Sequence, residues 1–309
     1  MTRLVLVHGR DNQGLDAEQL DRTWVTALDA GLAAAGSDLR LRDEDTSFVF
    51  YGDALAGLVA GDAAPPPVTV HAADDPAGGA GPVLPDDELA FVADVAEEVL
   101  RAAGADVPVR AEGSGLGGGA AWVNLLLSAL DRSVPGLSAA VVVLLARDVW
   151  AYLHDPDVRT VLDDALAAAL ATDGPAVVVA HSLGSVVAYG VLREHPAAGR
   201  WDVPLLLTLG SPLAVRAIRD VLAARAPLRV PAPVRRWVAV RDRRDALALH
   251  GLGPDAFPLR PPAPPVEELV VANAAPGHHA AAVVLDDGRP AGYLAVPEVA
   301  RTVADALDA

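Results

Sequence analysis

A serine that follows a strongly apolar run is the clearest candidate for chemistry in this chain. Ser182 stands in the segment Ala180-His181-Ser182-Leu183-Gly184, between the apolar run 176–180 and a helical pattern over 185–194. A strand, a sharp turn with small residues around a serine, and a helix form the nucleophile elbow G-x-S-x-G, here with Ala180 in place of the first glycine. Small residues are required because the turn brings the strand and helix backbones together in a strained conformation. The pattern therefore predicts a nucleophilic serine rather than a serine in an ordinary turn.

A serine hydroxyl is a weak nucleophile, so it needs a base to take its proton and an acid to orient that base. In an elbow-type site the acid and then the histidine follow the serine along the chain. Asp242 and Asp245 follow the apolar run 237–240, and either can serve as the acid. His278 and His279 lie before the last helical pattern of the chain. His279 is the first choice for the base, and His278 is the alternative.

Two backbone N–H groups must hold the negative oxygen that forms when the serine attacks a carbonyl group. Leu183, the residue after the nucleophile, offers one of them at the start of the predicted helix. The loop after the first apolar run offers the other, and the N–H of Arg10 or Gly9 fits this role. His8 in the same loop and His181 beside the serine are expected to be structural rather than catalytic.

The elements that position these residues are predicted to be short strands alternating with longer helices. This alternation indicates an α/β fold with a largely parallel sheet covered by helices. Strands are predicted over 4–7, 47–51, 176–180, 203–209 and 237–240. Helices are predicted over 17–35, 85–103, 122–130, 139–153, 156–170, 185–194 and 297–307.

The middle of the chain has a different character. Residues 60–85 are rich in Ala, Pro, Gly and Asp, which favours a lid or binding loop over a regular element. The region from about 54 to 135 is therefore interpreted as a cap inserted above the sheet. The whole chain, 1–309, is interpreted as a single domain that carries this insertion.

Composition excludes several classes of function. The net charge of −17 opposes binding to nucleic acids and stable association with anionic membranes. The chain has no cysteine, which excludes disulfides and thiol nucleophiles. The first apolar run is too short for a signal segment, and the apolar run 139–146 is too short to span a bilayer. The protein is therefore expected to be cytoplasmic.

No cofactor or metal is expected from the motifs. Residues 113–118 match the dinucleotide pattern G-x-G-x-x-G, but Pro108 breaks the run where the preceding strand should lie. A hinge of the lid is the preferred interpretation of this segment. The chain has no lysine, which excludes a P-loop, and its histidines show no metal-binding spacing.

Taken together, several segments resemble the α/β-hydrolase superfamily, closest to its lipase- and esterase-like branches, which include bacterial members of uncharacterised substrate. These segments are Val7-His8-Gly9-Arg10, Tyr51-Gly52-Asp53, 180–189 and Thr208-Leu209-Gly210-Ser211-Pro212-Leu213. The resemblance covers residues 1–50 and most of 140–309, but not the middle of the chain. It implies an α/β-hydrolase fold in which Ser182 is the nucleophile, Asp245 the acid and His279 the base.

One spacing departs from that family. In such relatives a histidine precedes a Gly-Tyr-Leu segment, and here Gly292-Tyr293-Leu294 follows His279 at a longer distance than expected. The intervening residues 280–291 are interpreted as an inserted hairpin or loop.

The function expected from the sequence is hydrolysis of a small-molecule carboxylic ester through an acyl-enzyme on Ser182. The composition of the lid favours a moderately apolar acyl group. The alternatives are an acyltransferase, thioesterase or amidase that uses the same residues, or a non-catalytic binding protein with the same fold.

Overall fold

Six parallel strands form the central sheet in the part of the chain that the computed structural model describes, which is residues 2–9, 16–42, 45–60, 84–109, 116–134, 137–172, 174–261 and 264–309. The strands are β1 (Arg3–Val7), β2 (Thr46–Val49), β3 (Ala176–His181), β4 (Leu206–Leu209), β5 (Trp237–Asp242) and β6 (Glu267–Val271). Their order across the sheet is β2-β1-β3-β4-β5-β6, and all neighbours run parallel. The α/β class predicted from the sequence is confirmed.

Helices connect the strands and cover both faces, as parallel strands require. They are α1 (Ala17–Ala34), α2 (Gly52–Ala60), α3 (Asp86–Ala102), α4 (Leu116–Ser133), α5 (Ala139–His154), α6 (Pro156–Leu170), α7 (Leu183–Glu194), α8 (Arg216–Arg225) and α9 (Pro297–Leu307). None of these described helices combines the length and apolar character needed to cross a bilayer.

The sheet separates two apolar cores because successive side chains of a strand point to opposite faces. In β3, Val177 and Val179 join the core that α1 and α9 cover. Val178 and Ala180 join the other core, which contains side chains from α2 to α8. All six residues of β3 are buried, which explains why the strand reads as a continuous apolar run.

Local signals in the sequence begin several helices. The carboxylate of Asp16 accepts the N–H groups of Glu18 and Gln19 and so caps α1. Asp155 caps α6 in the same way, with Pro156 at the first helical position, where the missing N–H has no partner to lose. These caps satisfy backbone groups that the helix itself leaves without partners.

Most predicted elements occur close to their expected bounds. The strand predicted over 203–209 is shorter, since Val203 forms only an isolated bridge with Val234. Helix α4 is longer than the predicted 122–130, and α2 and α8 were not predicted. The hairpin expected within 280–291 is confirmed as the antiparallel pair β7 (Val283–Val284) and β8 (Pro290–Ala291).

The predicted insertion, 54–135, contains α3, α4 and most of α2. Side chains of these helices belong to the same apolar core as Val178 and Ala180 of β3. Two interpretations from the sequence lie largely outside the described residues. They are the lid loop, apart from its ends, and the glycine motif at 113–118, of which 113–115 is not described.

We expect Gly31→Ala to destabilise the fold and Gly57→Ala to leave it intact. A Cβ atom at position 31 would lie 2.5 Å from the carbonyl oxygen of Leu294 and 2.9 Å from the Cβ of Ala300. Such overpacking costs about 1–3 kcal/mol, whereas alanine gains about 1 kcal/mol over glycine in a helix. At position 57 a Cβ meets no atom of the described residues within 4 Å. Urea unfolding measures both variants, and equal effects would contradict the close packing of α1.

Candidate active site

The carboxyl ends of β3, β5 and β6 meet at one edge of the sheet and bring Ser182, Asp245 and His279 together. The Nε2 atom of His279 lies 3.0 Å from the Oγ atom of Ser182. Its Nδ1 atom lies 2.8 Å from Oδ2 and 3.0 Å from Oδ1 of Asp245. A carboxylate only accepts hydrogen bonds, so Nδ1 carries a proton and, in the neutral ring, Nε2 is free to accept the serine proton.

Ser182 adopts a backbone conformation that residues with side chains rarely take. Its φ is 51° and its ψ is −124°, directly between β3 and α7. The surroundings hold it there: its N–H donates to the carbonyl of Leu209 at 3.0 Å, and its carbonyl accepts the N–H of Ser185 at 2.9 Å. A strained residue of this kind costs about 1–3 kcal/mol, and such residues cluster at functional sites.

Two glycines allow the backbone around the serine to pack closely. A Cβ atom at Gly184 would lie 2.4 Å from the carbonyl oxygen of His8. A Cβ atom at Gly9 would lie 2.9 Å from the Cβ of Ser182. The loop after β1 therefore lies directly against Ser182, and both positions must stay glycine. Ala180, which replaces the first glycine of the elbow pattern, is fully buried in β3.

Asp245 is a buried carboxylate with several hydrogen-bond donors. Besides His279, the hydroxyl of Tyr293 donates to it at 2.7 Å and the N–H of Leu247 at 3.0 Å. Burial opposes its charge, but the histidine ring and these donors outweigh burial and lower the pKa of Asp245. The carboxylate is thus held ionised beside His279. Gly210 lies next to this carboxylate. A Cβ atom at position 210 would lie only 3.0 Å from Oδ2 of Asp245 and would crowd it.

Tyr293 is a site residue that sequence reasoning missed. Its hydroxyl donates to Asp245 and accepts the N–H of Asp242 at 3.0 Å, so it ties Asp245 to the end of β5. Burial, together with the charge of Asp245, raises the pKa of Tyr293, which keeps the phenol protonated as a donor. The segment Gly292-Tyr293-Leu294 was recognised in the sequence, but only as a marker of the family's spacing.

The two alternative residues have other partners. Asp242 accepts hydrogen bonds from the guanidinium of Arg244 at 2.6 Å and from the N–H of Asn273 at 2.7 Å. Burial opposes its charge, but these donors lower the pKa of Asp242 to about 2. His278 contacts the carbonyl of Asn273 through Nδ1 at 2.9 Å. The structure therefore places Asp245 and His279, rather than Asp242 and His278, in contact with each other.

The candidate oxyanion donors lie on two sides of the serine. Leu183 is the first residue of α7, where N–H groups have no partner within the helix and the dipole favours negative charge. Gly9 lies against the serine from the end of β1. Arg10, the other residue considered for this role, lies outside the described residues.

His8 shapes the loop that carries Gly9. Its Nε2 atom accepts the N–H of Tyr51 at 3.0 Å, and the two rings stack with centroids 4.1 Å apart. Its Nδ1–H donates to the carbonyl of Gly9. Burial lowers the pKa of His8 to about 4, so the ring is neutral at pH 7 and acts as a fixed support of the loop.

Comparisons with models of protein families, with curated proteins and with solved structures found no match for this chain. Within the described residues, no group of three or more His, Asp or Glu side chains could hold a metal ion.

We expect Asp242→Asn to lower stability by about 2 kcal/mol at pH 7, the value that a pKa of about 2 in place of 3.8 implies. The lowered pKa means that ionised Asp242 stabilises the fold above pH 4, and that this stabilisation is lost as the pH falls towards 2. The deficit of the variant should therefore shrink at pH 3. Urea unfolding at both pH values measures it, with Asp286→Asn on the exposed hairpin as the control. A deficit independent of pH would contradict the ionised network.

Proposed function

We propose that this protein is a serine hydrolase of the α/β-hydrolase fold that cleaves carboxylic esters through an acyl-enzyme on Ser182. The observation that carries the proposal is the hydrogen-bonded series Ser182–His279–Asp245. These side chains come from three separate strand ends and follow the chain order serine, acid, histidine. The strained turn at Ser182 supports the same function, because it presents the hydroxyl between a buried strand and a helix N-terminus.

Acylation begins when Nε2 of His279 takes the proton of Ser182 and Oγ bonds to the ester carbonyl carbon. Asp245 stabilises the imidazolium that results. The oxyanion is held by the N–H of Leu183 and by an N–H of Gly9 or Arg10 in the loop after β1. Collapse of this intermediate breaks the ester C–O bond, and the leaving alkoxide takes the proton from Nε2.

Deacylation repeats these steps with water. His279 takes a proton from the water as its oxygen bonds to the acyl carbon, and the same N–H groups hold the second oxyanion. The bond to Ser182 then breaks, and the proton returns to Oγ. The carboxylic acid is released, and the site regains its starting protonation state.

A cap over the site forms part of the proposal. Ser182 is only 1% exposed, whereas the side chain of His279 is 22% exposed. With Ser182 buried to this extent, a carbonyl carbon can reach Oγ only if neighbouring residues move. The insertion 54–135, with α3 and α4, is the proposed cap. The expected moderately apolar acyl group and the cytoplasmic location stay predictions from the sequence.

We expect the wild-type protein to react covalently with a fluorophosphonate and Ser182→Ala to remain unlabelled. The substitution removes the oxygen that attacks the ester carbonyl and carries the acyl group, and ester hydrolysis should fall by about 10⁵–10⁶-fold. Intact-mass spectrometry and peptide mapping measure the label. Ser128→Ala, on an exposed position of α4, is the matched control and should label fully. A folded wild-type protein that does not label would falsify the proposed function and favour a non-catalytic binding protein.

The acyl acceptor is tested with a second series of substrates. We expect kcat/KM on p-nitrophenyl esters to be highest at an intermediate acyl length and to exceed that on acyl-CoA and p-nitroanilide substrates of equal chain. Water is the acceptor in the proposed deacylation, so added alcohols or amines should not be required. A clear preference for the thioester or the amide would instead assign a thioesterase or an amidase on the same residues.

A further inference from the structure

Three consecutive carbonyl groups in the loop that carries His279 each accept a hydrogen bond from a buried side chain. The side-chain N–H₂ of Asn273 donates to the carbonyls of His278 and Ala280 at 3.1 and 3.0 Å. The Nε2 atom of His181 contacts the carbonyl of His279, between them, at 2.7 Å. Residues 274–280 are called the base loop below.

The orientation of the Asn273 amide follows from its partners. Its Oδ1 accepts the N–H of Ala275 at 2.9 Å, so its nitrogen must face the two carbonyls. Asn273 is fully buried, and its own N–H donates to Asp242 at 2.7 Å. The base loop is thereby anchored to the end of β5, the strand that leads to Asp245. Asp242, weighed from the sequence as an acid, has this anchoring role instead.

The protonation of His181 follows in the same way. A carbonyl oxygen only accepts, so Nε2 must carry the proton. Burial, followed by the nearby His279, lowers the pKa of His181 to about 3, which keeps the ring neutral with a single N–H. The ring is fixed by its neighbours: its centroid lies 4.7 Å from that of His279 and 6.1 Å from that of Trp24.

The base loop needs such support because its backbone is strained. Gly277 and His278, immediately before the base, have φ values of 69° and 59°. Left-handed conformations at residues with side chains persist only where the surroundings hold them. A displacement of the base by about 1 Å is enough to lower the rate about 100-fold. The side-chain donors to its carbonyls add to the bond between Asp245 and Nδ1 of His279, and together they hold Nε2 at 3.0 Å from Ser182.

We propose that His181 and Asn273 are positioning residues, which clamp the base loop from two sides and so hold His279 in line with Ser182. The inference rests on the proposed function, since a base needs positioning only if it takes the serine proton. His181 precedes Ser182 in the chain. The backbone turn that places the nucleophile Ser182 therefore also places the side chain of His181, which holds the loop of the base His279. The elbow thus sets both partners of the proton transfer.

The closing experiment uses the full chain and variants that separate the hydrogen bond from the packing of the ring. His181→Phe keeps a planar ring but lacks the donor, whereas His181→Gln keeps an N–H within reach of the carbonyl. Asn273→Ser removes donors from the other side of the loop. His195→Phe, which replaces a ring stacked on Trp201 away from the site, is the matched control.

On p-nitrophenyl butyrate we expect His181→Phe and Asn273→Ser to lower kcat by about 10–100-fold with KM unchanged. His181→Gln should recover most of the loss, and His195→Phe should match the wild type. The split between kcat and KM and the recovery by glutamine distinguish positioning from general loss of structure. Thermal unfolding is measured first, and kinetics are then compared for those of the two variants, His181→Phe and Asn273→Ser, that are folded. An active wild type with an equally active, folded His181→Phe overturns the proposal, as does a glutamine variant no better than phenylalanine.

Hydrogen exchange of the base loop tests the clamp independently of activity. Amides in a peptide covering 274–282 should exchange at least tenfold faster in His181→Phe and Asn273→Ser than in the wild type. In His181→Gln they should return towards the wild-type rate. Unchanged exchange in both folded variants overturns the clamp even if the protein shows no esterase activity. A wild type that neither labels nor hydrolyses any ester overturns only the proposed function.

Discussion

The site depends on one backbone constraint, the left-handed conformation of Ser182 between a buried strand and a helix. It persists because its N–H and carbonyl are both bonded, to Leu209 and Ser185. Gly9 and Gly184 let the backbone after β1 approach the turn at Ser182 so closely that neither position has room for a Cβ atom. The serine hydroxyl is therefore placed by the main chain, and the cost of about 1–3 kcal/mol is offset by the surrounding packing.

A second constraint is that Asp242 and Asp245, only three residues apart, have different hydrogen-bond partners. Both are buried and ionised, yet each faces a different set of donors. Asp245 receives an imidazole and a phenol, and Asp242 receives a guanidinium and a main-chain N–H. Asp245 thus faces the ring of His279, while Asp242 fixes the loops around it. Burial without such donors would favour the neutral acids.

Much of the architecture could be predicted because its signals are local. Strand β3, its turn and α7 carry apolar runs and small residues that need no distant partner to be recognised. Helix α8 was missed because it is only ten residues long and only two of its residues, Ile218 and Leu222, are buried. The choice between Asp242 and Asp245, and the roles of Tyr293 and Asn273, depend on contacts between distant segments. Spacing along the chain carries no signal for such contacts.

The β7–β8 hairpin lies between His279 and Tyr293 in the chain, yet its ends are fixed to each other. The N–H of Tyr293 bonds to the carbonyl of Ala280 at 3.1 Å, and that of Leu294 to Ala281 at 3.0 Å. The distance between His279 and Tyr293 is therefore set where the hairpin begins and ends and not by its length. Its exposed tip at Asp286 and Asp287 is a suitable point for inserting a tag or a second domain without disturbing the contacts of His279 and Tyr293.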